Sequence, residues 1–199
     1  VVKIICGLGN HPAEYQHTRH NLGFDIIDRL AKTIGSARPG RAVWFDYATI
    51  PAKGGDIHLI KPLTFVNRSG IAVVEAMEMF GAGPSELFVI TDDFNLPLGT
   101  LRIRTRGSAG GHHGLESIIA ELGGGEFPRL RAGIGPLPEG APAGEQGVIG
   151  FVLGRFRAEE EEIVSRMISQ AVEAMELVIA DRLDAAIQLA NSANPTPGE

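Results

Sequence analysis

The stretch VVKIICGLG (1–9), followed after a polar insert by NLGFDIIDRLAKTIG (21–35), decides the fold. The first segment is a short, nearly unbroken apolar run that ends in glycines. That pattern predicts a buried strand closing in a tight turn. In the second segment apolar residues recur at helical spacing and stop at Gly35, which predicts a helix with a glycine C-terminus. A buried strand that turns into an amphipathic helix is the opening unit of a layered α/β domain.

The rest of the chain repeats the alternation. AVWFDYATI (42–50) and DIHLIKP (56–62) predict a hairpin across PAKGG. SGIAVVEAMEMFGAG (69–83) predicts a helix with Ser69 as N-cap. ELFVITDD, GTLRIRTR and PRLRAGIG predict strands, and HHGLESIIAELGGG predicts a short helix. GVIGFVLG (147–154) reads as one more strand or an irregular segment. From Ala158 onward the chain reads as helical, and NSANPTPGE (191–199) reads as a disordered tail. GPLPEGAPAGEQG (135–147) reads as a long surface loop, not a domain boundary. The expectation is a single α/β domain over residues 1–190, with a twisted mixed β-sheet flanked by helices.

Composition narrows the class. The chain has 199 residues, enough for one well-cored domain, and 44% hydrophobic residues. No apolar run is long enough to span a membrane. The first apolar run is too short for a signal peptide, so a cytoplasmic protein is expected. The lone Cys6 has no disulfide partner and reads as a small core residue. A net charge of −6 argues against nonspecific coating of nucleic acid.

Ligands of open α/β sheets gather at the carboxyl ends of strands. Three polar side chains follow apolar runs: Asn10, Asn67 and Asp92. If those strands are parallel neighbours, the three meet along one sheet edge, and His20, just ahead of the first helix, is placed to reach it. A neutral imidazole takes a proton from water near pH 7, a carboxylate on its other nitrogen fixes the tautomer, and amides stabilise a carbonyl oxygen as it gains charge. The set suits hydrolysis of an ester or amide by water. Each residue, taken alone, is more often a turn or cap residue. GLGNHP lacks the third glycine of a dinucleotide fingerprint, and no phosphate-loop or G-x-S-x-G motif is present. His112 and His113 are adjacent and would diverge, and no metal site is expected.

Two strands carry alternating arginines. Arg102, Arg104 and Arg106 oppose Leu101 and Ile103; Arg129 and Arg131 oppose Leu130 and Ala132. Side by side they would make an arginine surface suited to phosphate. Either strand alone is an ordinary solvated face.

Six blocks in order then carry a family resemblance: GLGN…Y…TRHNLGF from Gly7, KPLTFVNRSG (61–70), DDFNLPLGTLRIR (92–104), GSAGGHHGLESII (107–119), RLRAGIG (129–135) and GFVLGRF (150–156). Together they resemble the bacterial peptidyl-tRNA hydrolases. The resemblance implies a monomeric cytoplasmic esterase that releases tRNA from peptidyl-tRNA, with no metal and no cofactor. By motif, the catalytic histidine falls on His20 and its partner on Asp92. The substrate-binding positions fall on Asn10, Tyr15, Asn67 and His113, and tRNA-binding positions on Arg102, Arg104, Arg129 and Arg131. A noncatalytic RNA-binding relative is the alternative. The chain departs from the family pattern at His11-Pro12, where Pro-Gly is usual, at Val66, where Met is usual, and at His113, where Asn is usual.

Overall fold

In the computed structural model, which describes residues 1–192, the first apolar run forms β1 (Ile4–Gly7) and the segment after the polar insert forms α1 (Leu22–Ile34). Gly35 ends α1 in the left-handed conformation, φ 69°, which glycine adopts without steric cost. α1 lies against β1 at the glycines: a Cβ on Gly7 would overlap the Gly23 backbone, and one on Gly23 would overlap Leu8. This close approach fixes where the insert between them, including His20, is held.

β2 (Arg38–Arg41), β3 (Phe45–Ile50) and β4 (Ile57–Pro62) follow, then α2 (Ser69–Phe80) and the long β5 (Leu87–Pro97). After β6 (Leu101–Arg104) come α3 (His113–Leu122), β7 (Arg129–Gly135), α4 (Glu145–Val152), α5 (Glu161–Ile179) and α6 (Leu183–Ser192). The seven strands form one mixed sheet in the order β2-β3-β4-β1-β5-β7-β6. β4, β1, β5 and β7 run parallel, while β2, β3 and β6 join antiparallel.

Period-2 alternation feeds two cores from one sheet. Ile5, Phe88 and Ile90 face α1, α5 and α6, whereas Ile4, Cys6, Leu87 and Val89 face α2 and α3. All seven are fully buried, and burial of each large apolar side chain contributes about 2 kcal/mol. Burial also raises the Cys6 thiol far above its ordinary range, as suits a core residue. No helix among the described residues is long and apolar enough to cross a membrane.

Three expectations need correction, and one strand was not foreseen. GVIGFVLG is neither strand nor irregular: most of it belongs to α4, where Val148 and Val152 share a face at i, i+4 spacing. Gly147 permits this, because its backbone lies directly on the Pro142 carbonyl. Ser69 is the first residue of α2 and not its cap; its hydroxyl donates backward to Val66 O at 2.7 Å. β2 went unforeseen because RPGR has no apolar alternation, and its proline is tolerated at a sheet edge. Finally, Asn191 and Ser192 finish α6 and are not tail residues. The Asn191 amide acts as a substitute strand for the outer edge of β6: its Oδ1 accepts from Ile103 N (2.8 Å) and its Nδ2 donates to Ile103 O (3.3 Å). The remainder of the expected tail, 193–199, lies outside the described residues.

Candidate active site

The parallel neighbours β4, β1 and β5 bring their carboxyl ends together. Asn10 follows β1, Asn67 lies in a 3-10 turn after β4, and Asp92 sits within β5. With His20 they line one cleft of about 570 Å³, to which Tyr15 and His113 also contribute.

The segment bearing His20 is clamped from both sides. Ahead of it, Arg19 N donates to Gly154 O (2.9 Å), while the buried Arg19 guanidinium reaches Glu160 (2.8 Å) and packs on the rings of Phe151 and Phe156. Behind it, Asn21 grips the Asn10 backbone: Oδ1 accepts from Asn10 N (2.9 Å) and Nδ2 donates to Asn10 O (3.0 Å). The Asn10 side chain is also oriented, because its Oδ1 accepts from Val66 N at 2.9 Å. With the oxygen used, the amide NH2 is the end left to serve the cleft.

His20 Nδ1 stands 2.9 and 3.1 Å from the two oxygens of Asp92. That commits Nδ1–H to the carboxylate and leaves Nε2 as the unprotonated nitrogen. A second imidazole shares the same acid: His112 Nε2 lies 3.0 Å from Asp92 Oδ1. His112 is the N-cap of α3, its Nδ1 accepting from Gly114 N and Leu115 N at 3.1 and 3.3 Å. An accepting Nδ1 carries no hydrogen, so Nε2 is the donor toward Asp92. The helix terminus thus sets the tautomer of His112.

These contacts decide the charges. Asp92 is 2% exposed. Burial pushes its carboxyl up, but its two imidazole neighbours, His20 and His112, outweigh this and hold it well below the usual carboxylate range. Burial lowers the His20 pKa, but the charge and hydrogen bond of Asp92 prevail, and the net shift is upward. His20 is therefore a stronger base than an exposed histidine.

His20, Asp92 and His112 place three ligand-type atoms within 4.8 Å of one another. Their separations are those of two N–H donors on one carboxylate, and the His112 nitrogen facing Asp92 carries a hydrogen. Hydrogen bonding accounts for the cluster without a cation.

The other expected residues divide. Tyr15 is half-buried and sits edge-on to the exposed ring of Phe65, at 6.4 Å between centroids, on the cleft rim. Asn67 is exposed within the cleft lining. His113 lines the cleft, but its ring nitrogens face Glu116 (2.9 Å) and Glu145 (3.3 Å). On the arginine strands, Arg102 pairs across with Arg131 and Arg104 with Arg129, so all four start from one face. Arg104 is exposed. Arg102 is half-buried and donates to the Leu101 and Asn191 carbonyls. Arg131 forms an ion pair with Asp93.

Arg129 departs from the expected surface. It is 1% exposed, and its guanidinium donates to the carbonyls of Gly107, Ser108, Gly125 and Phe127. Its donors are consumed in tying two loops together, so it offers nothing to a phosphate.

Sequence reasoning assigns no role to Arg19 or Asn21, and it considers His112 only as a metal ligand, which it rejects. Arg19 and Asn21 flank His20 in TRHN, and an N-cap position at the start of HHGLESII was the available sign for His112.

The chain has clear relatives among known proteins. The family model described as peptidyl-tRNA hydrolase matches residues 4–197. The chain is 40% identical to a peptidyl-tRNA hydrolase of Aquifex aeolicus, covering 87% of this chain and 88% of that one. It is 45% identical to one of Chlorobium phaeovibrioides, covering 87% and 90%. The crystal structure of peptidyl-tRNA hydrolase from Acinetobacter baumannii superposes with a TM-score of 0.88 at 30% identity, covering 98% of this chain and 97% of that one. A family model matched over nearly the whole chain, relatives at 40–45% identity and a shared fold lead to one conclusion: the chain belongs to the peptidyl-tRNA hydrolase family.

Proposed function

We propose that this chain hydrolyses the ester bond of peptidyl-tRNA, with His20 as general base. The observation that carries the reading is the pairing of His20 Nδ1 with buried Asp92, which leaves Nε2 for the cleft. Nε2 takes a proton from water as the water oxygen attacks the ester carbonyl carbon. Asp92 holds the tautomer and offsets the positive charge that develops on the ring. The Asn10 amide, oriented by Val66 N, donates to the substrate carbonyl as it becomes an oxyanion. Collapse breaks the bond between the carbonyl carbon and the ribose oxygen. That oxygen takes the proton back from His20, and the peptide leaves as its acid.

Tyr15 and Asn67 are read as substrate contacts on the cleft rim. Arg102, Arg104 and Arg131 are read as the cationic face for the tRNA backbone, without Arg129. Action as a monomer belongs to the same reading, and the substrate supports a cytoplasmic setting. A noncatalytic RNA-binding role is not favoured, since RNA binding alone has no use for a base oriented by a buried acid. Incubation with peptidyl-tRNA and with the same peptide as a simple ester tests the reading. Selective release of tRNA is expected; equal rates on both would point to a general esterase, and cleavage of neither to a binding protein.

A further inference from the structure

His113 opens α3 with both ring nitrogens turned toward carboxylates. Nδ1 is 2.9 Å from Glu116 Oε2 on its own helix, and Nε2 is 3.3 Å from Glu145 Oε1, the first residue of α4. A neutral imidazole has one N–H and one lone pair. It can hydrogen-bond Glu116, but it carries no charge to attract Glu145, which stands at ion-pair distance. Only the imidazolium attracts both carboxylates.

The consequence falls on the cleft. Glu145 begins the helix whose Val148, Ile149 and Val152 form an apolar wall of that cleft. The preceding residues 136–144 contain no helix or strand, so the Glu145 end of α4 is continued by no regular element. We propose that His113 is a positioning residue: as the imidazolium it straps α4 to the N-terminus of α3 and seats the apolar wall, and as the neutral ring it releases one end. This assigns the chain's departure at this position a bridge in place of a substrate contact.

The charges around the strap are consistent with this. Glu116 on α3 and Glu145 on α4 face the ring directly, and the positive N-terminal end of α3 opposes a cation there. The other charged or titratable groups lining the cleft are Arg68, which also opposes it, Tyr15, and the bonded trio His20, Asp92 and His112. The side chains of His113, Glu116 and Glu145 are 45%, 52% and 71% exposed. The strap is therefore a weak one, of the kind that shifts a local equilibrium about two- to fivefold.

Amide hydrogen exchange tests it directly. Residues 149–153 are followed at pH 5.5 and pH 8.0, each corrected for the intrinsic exchange rate. The parent is expected to protect these amides about two- to fivefold more at pH 5.5. His113→Asn and Glu145→Gln should each abolish that difference, and His113→Lys should keep protection at both pH values. Equal protection of the parent at both pH values overturns the proposal, as does an unchanged difference in His113→Asn. Should His113→Asn fail to fold, Glu145→Gln decides by the same criterion. The consequence for hydrolysis rests on the reading above: KM for peptidyl-tRNA should rise in His113→Asn with kcat little changed. Absence of hydrolysis in the parent would remove that reading while the exchange result still decides the strap.

Discussion

Asn21 closes both backbone hydrogen bonds of Asn10 with the two ends of a single side-chain amide, at 2.9 and 3.0 Å. One residue thus fixes the loop after β1 to the turn that carries His20. The Asn10 amide and the His20 imidazole keep their separation because Asn21 links the two backbones. Asn21→Ala leaves a buried N–H and C=O without partners and should destabilise the fold by about 1–3 kcal/mol in urea unfolding. Asn21→Asp should do as badly, since it loses the donor and sets a carboxylate against the Asn10 carbonyl. Activity should fall in both variants, because the Asn10 amide is no longer aimed. Full activity in Asn21→Ala would show that Asn10 is held by other means.

The pH dependence follows from the His20–Asp92 pair. The folded-state pKa of His20 is raised, so the general base is lost as pH falls through a value above the usual histidine value of about 6.5. The acid limb of the kcat profile should therefore centre above that value. In Asp92→Asn the carboxylate charge is gone and burial alone acts, so the limb should move to lower pH. Turnover at neutral pH should also fall, though less than on loss of His20. The linked stability has the opposite sense. A raised His20 pKa contributes stability that is complete below the unfolded value and fades as pH rises through the folded one. An acid limb that stays in place in Asp92→Asn would break the link between the two residues.

The arginine strands separate into two kinds of variant. Arg104 is exposed, so Arg104→Ala should raise KM for peptidyl-tRNA and make KM less steeply dependent on salt, because fewer counterions are released. Arg129 is buried with its donors on four carbonyls, so Arg129→Ala should lower stability by about 3 kcal/mol and leave the salt slope of the folded fraction unchanged. KM against salt and urea midpoints, measured on both variants, check the division. A reversed pattern would mean that the side chains are arranged otherwise.

This division marks where sequence pattern stops being informative. Period-2 alternation placed Arg129 and Arg131 on the face opposite Leu130, and the strand register agrees. Alternation says which face a side chain leaves, not what lies above that face, and the loops at 107–108 and 125–127 cover Arg129. The strand-to-helix order was legible because each apolar run met a clear turn signal. α4 was not legible: its two glycines and short length match a strand as well as a helix, and only the contact of Gly147 with Pro142 decides. His20, Asp92, Asn10 and Asn67 could be placed on one edge because the parallel connections put strand ends together. The groups that orient them were harder to read. Asn21 acts on backbone atoms eleven residues away, and His112 acts through a helix cap, so neither leaves a periodic trace.

The central claim is that His20 is the base, and the most direct measurement is single-turnover hydrolysis of peptidyl-tRNA by His20→Ala, alongside urea unfolding of the same variant. The account predicts a folded protein that still binds the substrate and hydrolyses it about a hundred- to ten-thousand-fold more slowly. Turnover at the parent rate in a folded His20→Ala protein would contradict it.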